Sequence, residues 1–372
     1  MEDTAHMDRA LQLAERGLGR VSPNPMVGAL ILAPGGAIVG EGWHEGPGTP
    51  HAEVMALSAA GDQARGGTAV ITLEPCDHIG RTGPCTKALI DAGVVALVAA
   101  ASDPNPLVNG AGFDRLRSAG VDVRVGPSAA QARDLNRAFE RHVTTGLPFV
   151  TLKMASSLDG RSAAVDGTSK WITGEEARSD VQRLRAWADA LIIGSGTALA
   201  DDPSLTVRDP AYAGARPPLR VLVDSSGRVS PHGHLFDGTT PTMVATTERT
   251  PDLRLREWER AGAEVLICDR GADDRVSLTA LVRDLGKRDI QAVLLEGGAT
   301  IAWGAVAEDI VDEVVLYLAP KLVGGLDARS LLSGAGFAPI TQARQLDLIS
   351  AERIGPDLKV VARVHRDHRG VR

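Results

Sequence analysis

A chain of 372 residues has room for two domains of ordinary size, each with its own core. Apolar residues at 44% and charged residues at 23% describe a globular protein and exclude wholesale disorder, collagen and coiled coil. A net charge of −7 and an aromatic content of 3% argue against nucleic acid as a partner. A small basic pocket for one phosphorylated metabolite stays allowed. The residues before Val21 are charged throughout, without an apolar stretch or cleavage site, and no run of about 18 apolar residues occurs. The expectation is a cytoplasmic protein with no membrane partner. Cys76, Cys85 and Cys268 are too few for a disulfide framework and suit a reducing compartment.

In chain order, helical spacing of Met7, Ala10, Leu11 and Ala14 predicts a helix over Met7–Gly17. Ser22-Pro23-Asn24-Pro25 reads as a rigid loop around one amide. Val27–Leu32 and Ala37–Trp43 read as strands joined at Pro34-Gly35-Gly36. A helix is expected from Pro50 to Gly61 with Thr49 as its N-cap. Strand Thr68–Leu73, a loop from Glu74 to Pro84, helix Cys85–Ala92 and strand Val94–Ala101 follow. A helix around Leu116, strand Val121–Val125 and one longer helix over Gln131–His142 complete the first series. Alternating strands and helices imply an α/β sheet covered on both faces.

A domain boundary is expected near Thr144-Thr145-Gly146-Leu147-Pro148, dividing the chain into 1–146 and 147–372. The second part reads as strand Phe149–Met154, helix Glu175–Trp187, strands Ala190–Ile193, Leu219–Val223, Thr242–Thr246 and Glu264–Cys268, and helix Leu278–Gly286. Strand Ala292–Leu295, helix Thr300–Ala307 and strands Asp312–Leu318 and Leu358–Arg363 end it.

Chemistry concentrates in His51-Ala52-Glu53, Pro75-Cys76 and Pro84-Cys85. One imidazole and two thiolates suit Zn²⁺ with a fourth position open for water. Beside the metal that water becomes a nucleophile near neutral pH. Glu53, two residues from His51, is placed to shuttle protons without ligating, as in the zinc deaminase pattern H-x-E…P-C-x-x-C. Cys85 opens a helix, whose amide dipoles favour thiolate. A single His or Cys is usually structural, but three ligand types in this order at element ends make coincidence a poor account. The departure is an eight-residue insert between the cysteines, Asp77 to Pro84, polar enough to serve as a substrate loop.

With that insert, HAEVMAL, EPCDHIGRTGPCTKALI and SPNPMVGA resemble the bifunctional riboflavin-biosynthesis deaminase/reductase family rather than the nucleic-acid deaminases. LKMASSLDGRSA, SKWITG, IIGSGTALADDPSLTVR and LLEGGAT extend the resemblance to nearly the whole chain. It implies a cytidine-deaminase-like three-layer α/β/α domain followed by a dihydrofolate-reductase-like α/β domain. It also implies zinc-dependent deamination of a diaminopyrimidine ribosyl phosphate, then NADPH reduction of ribosyl to ribityl, in a homo-oligomer. Asn24 offers a donor and an acceptor to a pyrimidine edge; its bland reading is a turn-forming amide. His44 and His78 are structural or exposed imidazoles, or line the pocket. Arg81 meets a phosphate or faces water.

In the second part no metal set recurs, and Cys268 reads as a core thiol. Leu295-Glu296-Gly297-Gly298-Ala299-Thr300 and Ile193-Gly194-Ser195-Gly196-Thr197 are glycine-rich strand exits. Glycines and a helix start admit a phosphate, although one such exit alone is more often a turn. The resemblance places Ala155, Trp171, Thr197, Asp201, Gly297, Gly298, Ala299 and Thr300 at NADPH. It places Ser169, Arg185, Leu205, Arg208 and Glu296 at substrate. Arg185 and Arg208 are expected to hold a ribose phosphate by forked hydrogen bonds. Lys153 and Asp159 polarise or position the sugar, or are a snorkelling lysine and a turn aspartate. The residues suggest no proton donor for the reduction.

Overall fold

A computed structural model describes residues 2–78, 83–106 and 108–365. It divides into two compact units, Met1–Gly146 and Leu147–Arg372. Among the described residues no helix is long and apolar enough to cross a membrane.

The first unit is a five-stranded sheet between helices. Its strands are β1 (Gly28–Leu32), β2 (Ile38–Trp43), β3 (Thr68–Ile71), β4 (Ala96–Ala99) and β5 (Asp122–Val125), in the order β2-β1-β3-β4-β5. β1 is antiparallel to both neighbours, and β3, β4 and β5 run parallel. The helices are α1 (Glu2–Ala14), α2 (Ala52–Ala60), α3 (Cys85–Asp91), α4 (Ala111–Ser118), α5 (Ala129–Leu135) and α6 (Arg137–Thr145). Strand alternation sends Ala29, Ile31, Ala69 and Ile71 into one core with Ala52, Ala56, Leu89 and Leu116. Leu30, Leu32, Val70 and Val98 pack on Met7, Ala10, Leu13 and Ala132 across the sheet. The unit thus has three layers.

Three local readings change. The first helix starts at Glu2 and gives way to a tight turn at Glu15–Gly17. α2 starts at Ala52, not Pro50, because the Thr49 hydroxyl donates to the Gly46 carbonyl instead of capping, and His51 occupies the cap position. The helix expected over Gln131–His142 breaks at Asn136, whose buried amide accepts from Met26 N at 2.8 Å and donates to Met26 O at 2.9 Å. That clamp fixes the end of the Ser22–Met26 loop.

The second unit holds a nine-stranded sheet. Its elements are β6 (Phe149–Ser157), α7 (Glu175–Trp187), β7 (Ala190–Gly194), α8 (Ser195–Asp201), β8 (Leu219–Val223), β9 (Thr242–Thr246), α9 (Asp252–Arg260) and β10 (Glu264–Ile267). α10 (Leu278–Lys287), β11 (Ala292–Glu296), α11 (Ala299–Ala307), β12 (Glu313–Ala319), β13 (Leu346–Ile354) and β14 (Asp357–Val364) follow. The strand order is β10-β9-β8-β7-β11-β6-β12-β14-β13, parallel through β12, with β14 antiparallel to both β12 and β13. Leu281, Leu285, Ala302 and Ala305 cover one face; Ala177, Val181, Leu184 and Trp258 cover the other. Cys268 is a core thiol, as expected. The sequence reading lacked α8, α9 and β13. β13 is an edge strand exposed along most of its length, so burial never imprints an apolar alternation on it.

Candidate functional sites at a metal cluster and at the strand ends

The fold brings His51, Cys76 and Cys85 together from a helix start, a strand exit and a second helix start. Their ligand atoms lie within 4.8 Å of one another. His51 Nδ1 is 3.6 Å from Cys76 Sγ and 3.3 Å from Cys85 Sγ. A tetrahedral centre with Zn–N of about 2.0–2.1 Å and Zn–S of about 2.3 Å needs an N···S edge of about 3.6 Å. The donor set and its spacing therefore fit Zn²⁺, with Nδ1 as the imidazole ligand.

The electrostatics agree, with one difference from expectation. A hydrogen bond from Cys85 and then His51 hold the Cys76 thiol well below its ordinary value. The same hydrogen bond, together with burial, pushes the Cys85 thiol up, despite its place at the start of α3. A cation at the centre is what allows both sulfurs to be thiolates. Cys76 likewise raises the His51 imidazole.

Glu53 is buried in the first turn of α2, and burial raises its carboxyl above the usual range. A carboxyl raised in this way is suited to taking up and returning a proton. His44 is buried, its ring edge-on to His51 at 5.5 Å between centroids. Burial lowers its pKa. Its Nδ1 lies 3.4 Å from the Pro50 carbonyl, and its Nε2 is 2.9 Å from Asn24 Nδ2. The amide of Asn24 is thus oriented by His44, and both belong to the neighbourhood of the cluster. His78 is exposed. Arg81 lies outside the described residues.

Glu74, one residue before Pro75-Cys76, was missed. Its buried carboxylate accepts from the backbone N–H of Asp103, Gly110, Gly112 and Phe113. Gly112 is pressed so closely on this segment that a Cβ would lie 2.0 Å from the Pro75 carbonyl. Glu74 therefore ties the start of α4 to the cysteine loop. The only hint in the sequence is an acidic residue at a strand exit.

The second cluster lies at the C-terminal ends of β11 and β7 and beside the middle of β6, three adjacent parallel strands. Register places Lys153 beside Glu296. Arg185 from α7 grips Glu296 with Nε at 2.6 Å and Nη2 at 3.0 Å, while its Nη1 donates to the Thr206 carbonyl at 3.2 Å. The expected fork of Arg185 toward a phosphate is therefore engaged by a carboxylate 111 residues away. Burial pushes Glu296 up, but Arg185 and Lys153 together pull it below its ordinary value. Burial lowers the Lys153 ammonium.

Gly297 and Gly298 have φ of 80° and 68°, and a Cβ on either would lie 3.0–3.1 Å from Thr197 Oγ1. Both glycine exits thus meet, and only glycine suits this backbone. Trp171 is 63% exposed and carries the Arg178 guanidinium 4.5 Å from its ring centroid. Lys321 holds the Trp171 carbonyl. Leu205 is buried at φ 48°, and Arg208 is exposed. Ala155 and Ser169 are half-buried, whereas Asp201 and Thr300 are exposed and Ala299 is half-buried. None of these five enters a side-chain bond that would test a role. Asp159 is a loop latch: it accepts from Ser157 Oγ and from the N–H of Val323 and Gly324.

Comparison with known proteins gives a family match for each unit. Residues 1–101 match the cytidine and deoxycytidylate deaminase zinc-binding region, and residues 148–360 match the RibD C-terminal domain. The riboflavin biosynthesis protein RibD of Escherichia coli is 42% identical over 96% of this chain and 98% of its own length. That of Haemophilus influenzae is 41% identical over 96% of each chain. The solved RibD of Acinetobacter baumannii superposes with a TM-score of 0.87 at 39% identity, covering 98% of this chain and 99% of that one. A Thermotoga maritima structure described as a diaminohydroxyphosphoribosylaminopyrimidine deaminase/5-amino-6-(5-phosphoribosylamino)uracil reductase gives 0.86 at 33% identity, covering 98% and 99%. The chain belongs to the RibD family of bifunctional riboflavin-biosynthesis deaminase/reductases.

Proposed function

We propose that the unit ending at Gly146 deaminates a diaminopyrimidine ribosyl phosphate, 2,5-diamino-6-(5-phosphoribosylamino)pyrimidin-4-one. The unit from Leu147 then reduces the ribosyl group of the product to ribityl with NADPH. The observation that carries this reading is the convergence of His51 Nδ1 and two cysteine sulfurs at tetrahedral spacing beside buried Glu53.

His51, Cys76 and Cys85 hold Zn²⁺, which as a Lewis acid makes a water acidic enough to act near neutral pH. Glu53 takes the proton of the attacking water and returns it to the leaving amine. Asn24, held by His44, reads the pyrimidine edge. In the reductase, NADPH supplies the hydride. The backbone of Gly297–Thr300 at the start of α11 holds a cofactor phosphate, with Thr197 closing the cradle and Ala155, Trp171 and Asp201 beside it. Arg208 is the cation for the substrate phosphate. Ser169, Leu205 and Glu296 line the substrate side, and Arg185 positions Glu296. Lys153, beside Glu296 in the sheet, supplies a second cation to that carboxylate.

Incubation with the diaminopyrimidine ribosyl phosphate, with and without NADPH, tests the reading. Ammonia release without cofactor, followed by NADPH oxidation on its addition, is expected. Release of ammonia from RNA or DNA oligonucleotides, but not from this substrate, would overturn it. Self-association rests on the family resemblance and a cytoplasmic location on the few cysteines and the sequence reading, and sedimentation of the purified chain tests the former.

A further inference from the structure

The segment from Ser204 to Arg208 connects α8 to β8 outside any sheet, yet side chains fix its backbone at alternate points. Arg220, fully buried on β8, donates from Nη1 to the Ser204 carbonyl at 3.3 Å and to the His234 carbonyl at 2.9 Å. Its remaining nitrogens reach Thr242 Oγ1, Asp237 Oδ1 and the Thr240 carbonyl. Arg185 Nη1 donates to the Thr206 carbonyl, and Gln182 Oε1 accepts from Arg208 N at 2.8 Å. Gln182 and Arg185 are three residues apart on α7, so they project from one helix face. The carbonyl of Thr206 and the N–H of Arg208 are two residues apart, the repeat by which an extended segment presents polar groups along one edge. The α7 face thus substitutes for a neighbouring strand.

Leu205 shows that the clamp is tight. A buried, branched residue at φ 48° is unfavourable and persists only where its surroundings hold it. Arg208 emerges from the clamp exposed, and among the described residues its guanidinium makes no hydrogen bond or ion pair. Arg185, by contrast, has its forked edge on Glu296.

We infer that Gln182 is a positioning residue for reduction: by holding the Arg208 amide, it presents the Arg208 guanidinium to the substrate phosphate. This inference rests on the assignment of Arg208 to that phosphate above. Gln182 itself touches no substrate.

The test uses the full-length protein. Gln182→Met removes the acceptor at nearly constant volume. Reduction is followed with 5-amino-6-(5-phosphoribosylamino)uracil and with the same compound lacking its phosphate. The KM for the phosphorylated substrate should rise about three- to tenfold, the range for one lost hydrogen bond, with kcat little changed. The KM for the dephosphorylated compound should not move. In an Arg208→Ala background, Gln182→Met should add nothing, because the two residues act as one unit. NADPH binding, followed by Trp171 fluorescence, reports that the variant domain is folded. Equal losses with both substrates, additivity with Arg208→Ala, or unchanged KM for the phosphorylated substrate would overturn the clamp alone. An Arg208→Ala enzyme that still discriminates between the two substrates as the parent does would overturn the phosphate assignment and the clamp with it.

Discussion

The two clusters are built in opposite ways. The metal cluster draws its ligands from His51, Cys76 and Cys85, a short stretch of chain folded around one strand exit and two helix starts. The reductase cluster joins Lys153, Arg185 and Glu296, contributed by three separate elements, with a backbone cradle formed where the β11–α11 turn meets the first turn of α8. A cation at the first centre would overcome the mutual repulsion of two sulfurs, whereas the second supplies the cations for its one carboxylate from its own side chains. The first should fail all at once when one ligand goes. The second should degrade in steps.

The largest expected effect breaks the metal cluster. Cys76→Ala should lose zinc and lower deamination by a factor of at least about 10³, because the activated water disappears with the metal. Elemental analysis and ammonia release check this, while reduction of already deaminated substrate should continue. Loss of reduction in a folded Cys76→Ala protein would show that the two activities are not separable. Next is Glu53→Gln, which should keep the metal and cost about 10²–10⁴ in deamination, the usual worth of a general acid–base. If zinc is lost instead, Glu53 is a ligand.

The second cluster is sharpened by smaller changes. Glu296→Ala leaves the Arg185 guanidinium half-buried and unpaired, with side-chain exposures of 13% and 9% in the intact pair. Unfolding of the second unit in urea should register a loss of about 3 kcal/mol, as for other broken buried pairs. Gly297→Val places a β-branched residue at positive φ against Thr197 and should weaken NADPH binding about tenfold or more, at unchanged zinc content. Calorimetric titration with NADPH distinguishes this from an effect on turnover.

The smallest effect is pH-dependent. Ser157 and the N–H groups of Val323 and Gly324 hold Asp159 down to about 2, from an ordinary value of 3.8. A depressed carboxyl stabilises the fold above its unfolded pKa and loses that contribution as pH falls through the folded one. The Val323–Gly324 latch should therefore be intact above pH 4 and open towards pH 2. Amide exchange at Val323 and Gly324 measures it; protection unchanged across that window would remove the latch.

Legibility follows sequence distance. His51, Glu53, Cys76 and Cys85 were readable because metal chemistry restricts residue type and each sits at an element end. Glu74 was not, since four backbone N–H groups between Asp103 and Phe113 carry no side-chain signature. Asn136 was lost inside a helical pattern because its partner, Met26, is 110 residues away. The glycine exits were visible one at a time, but their meeting at Thr197 was not. Arg185 shows the same limit: its type suggested a phosphate, and its neighbour proved to be Glu296.

Local residue order determined the class of fold, the His51, Cys76 and Cys85 cluster, the carboxylate of Glu53 close to it in sequence, and the place where one α/β series gives way to another. These follow from spacing, turn chemistry and ligand preference, all short-range properties of the chain. Tertiary structure alone decided which backbone groups Glu74 gathers, which arginine is engaged, and how the segment around Leu205 is held. Those outcomes depend on burial and on partners brought together by sheet order, and neither is written in any one stretch of residues.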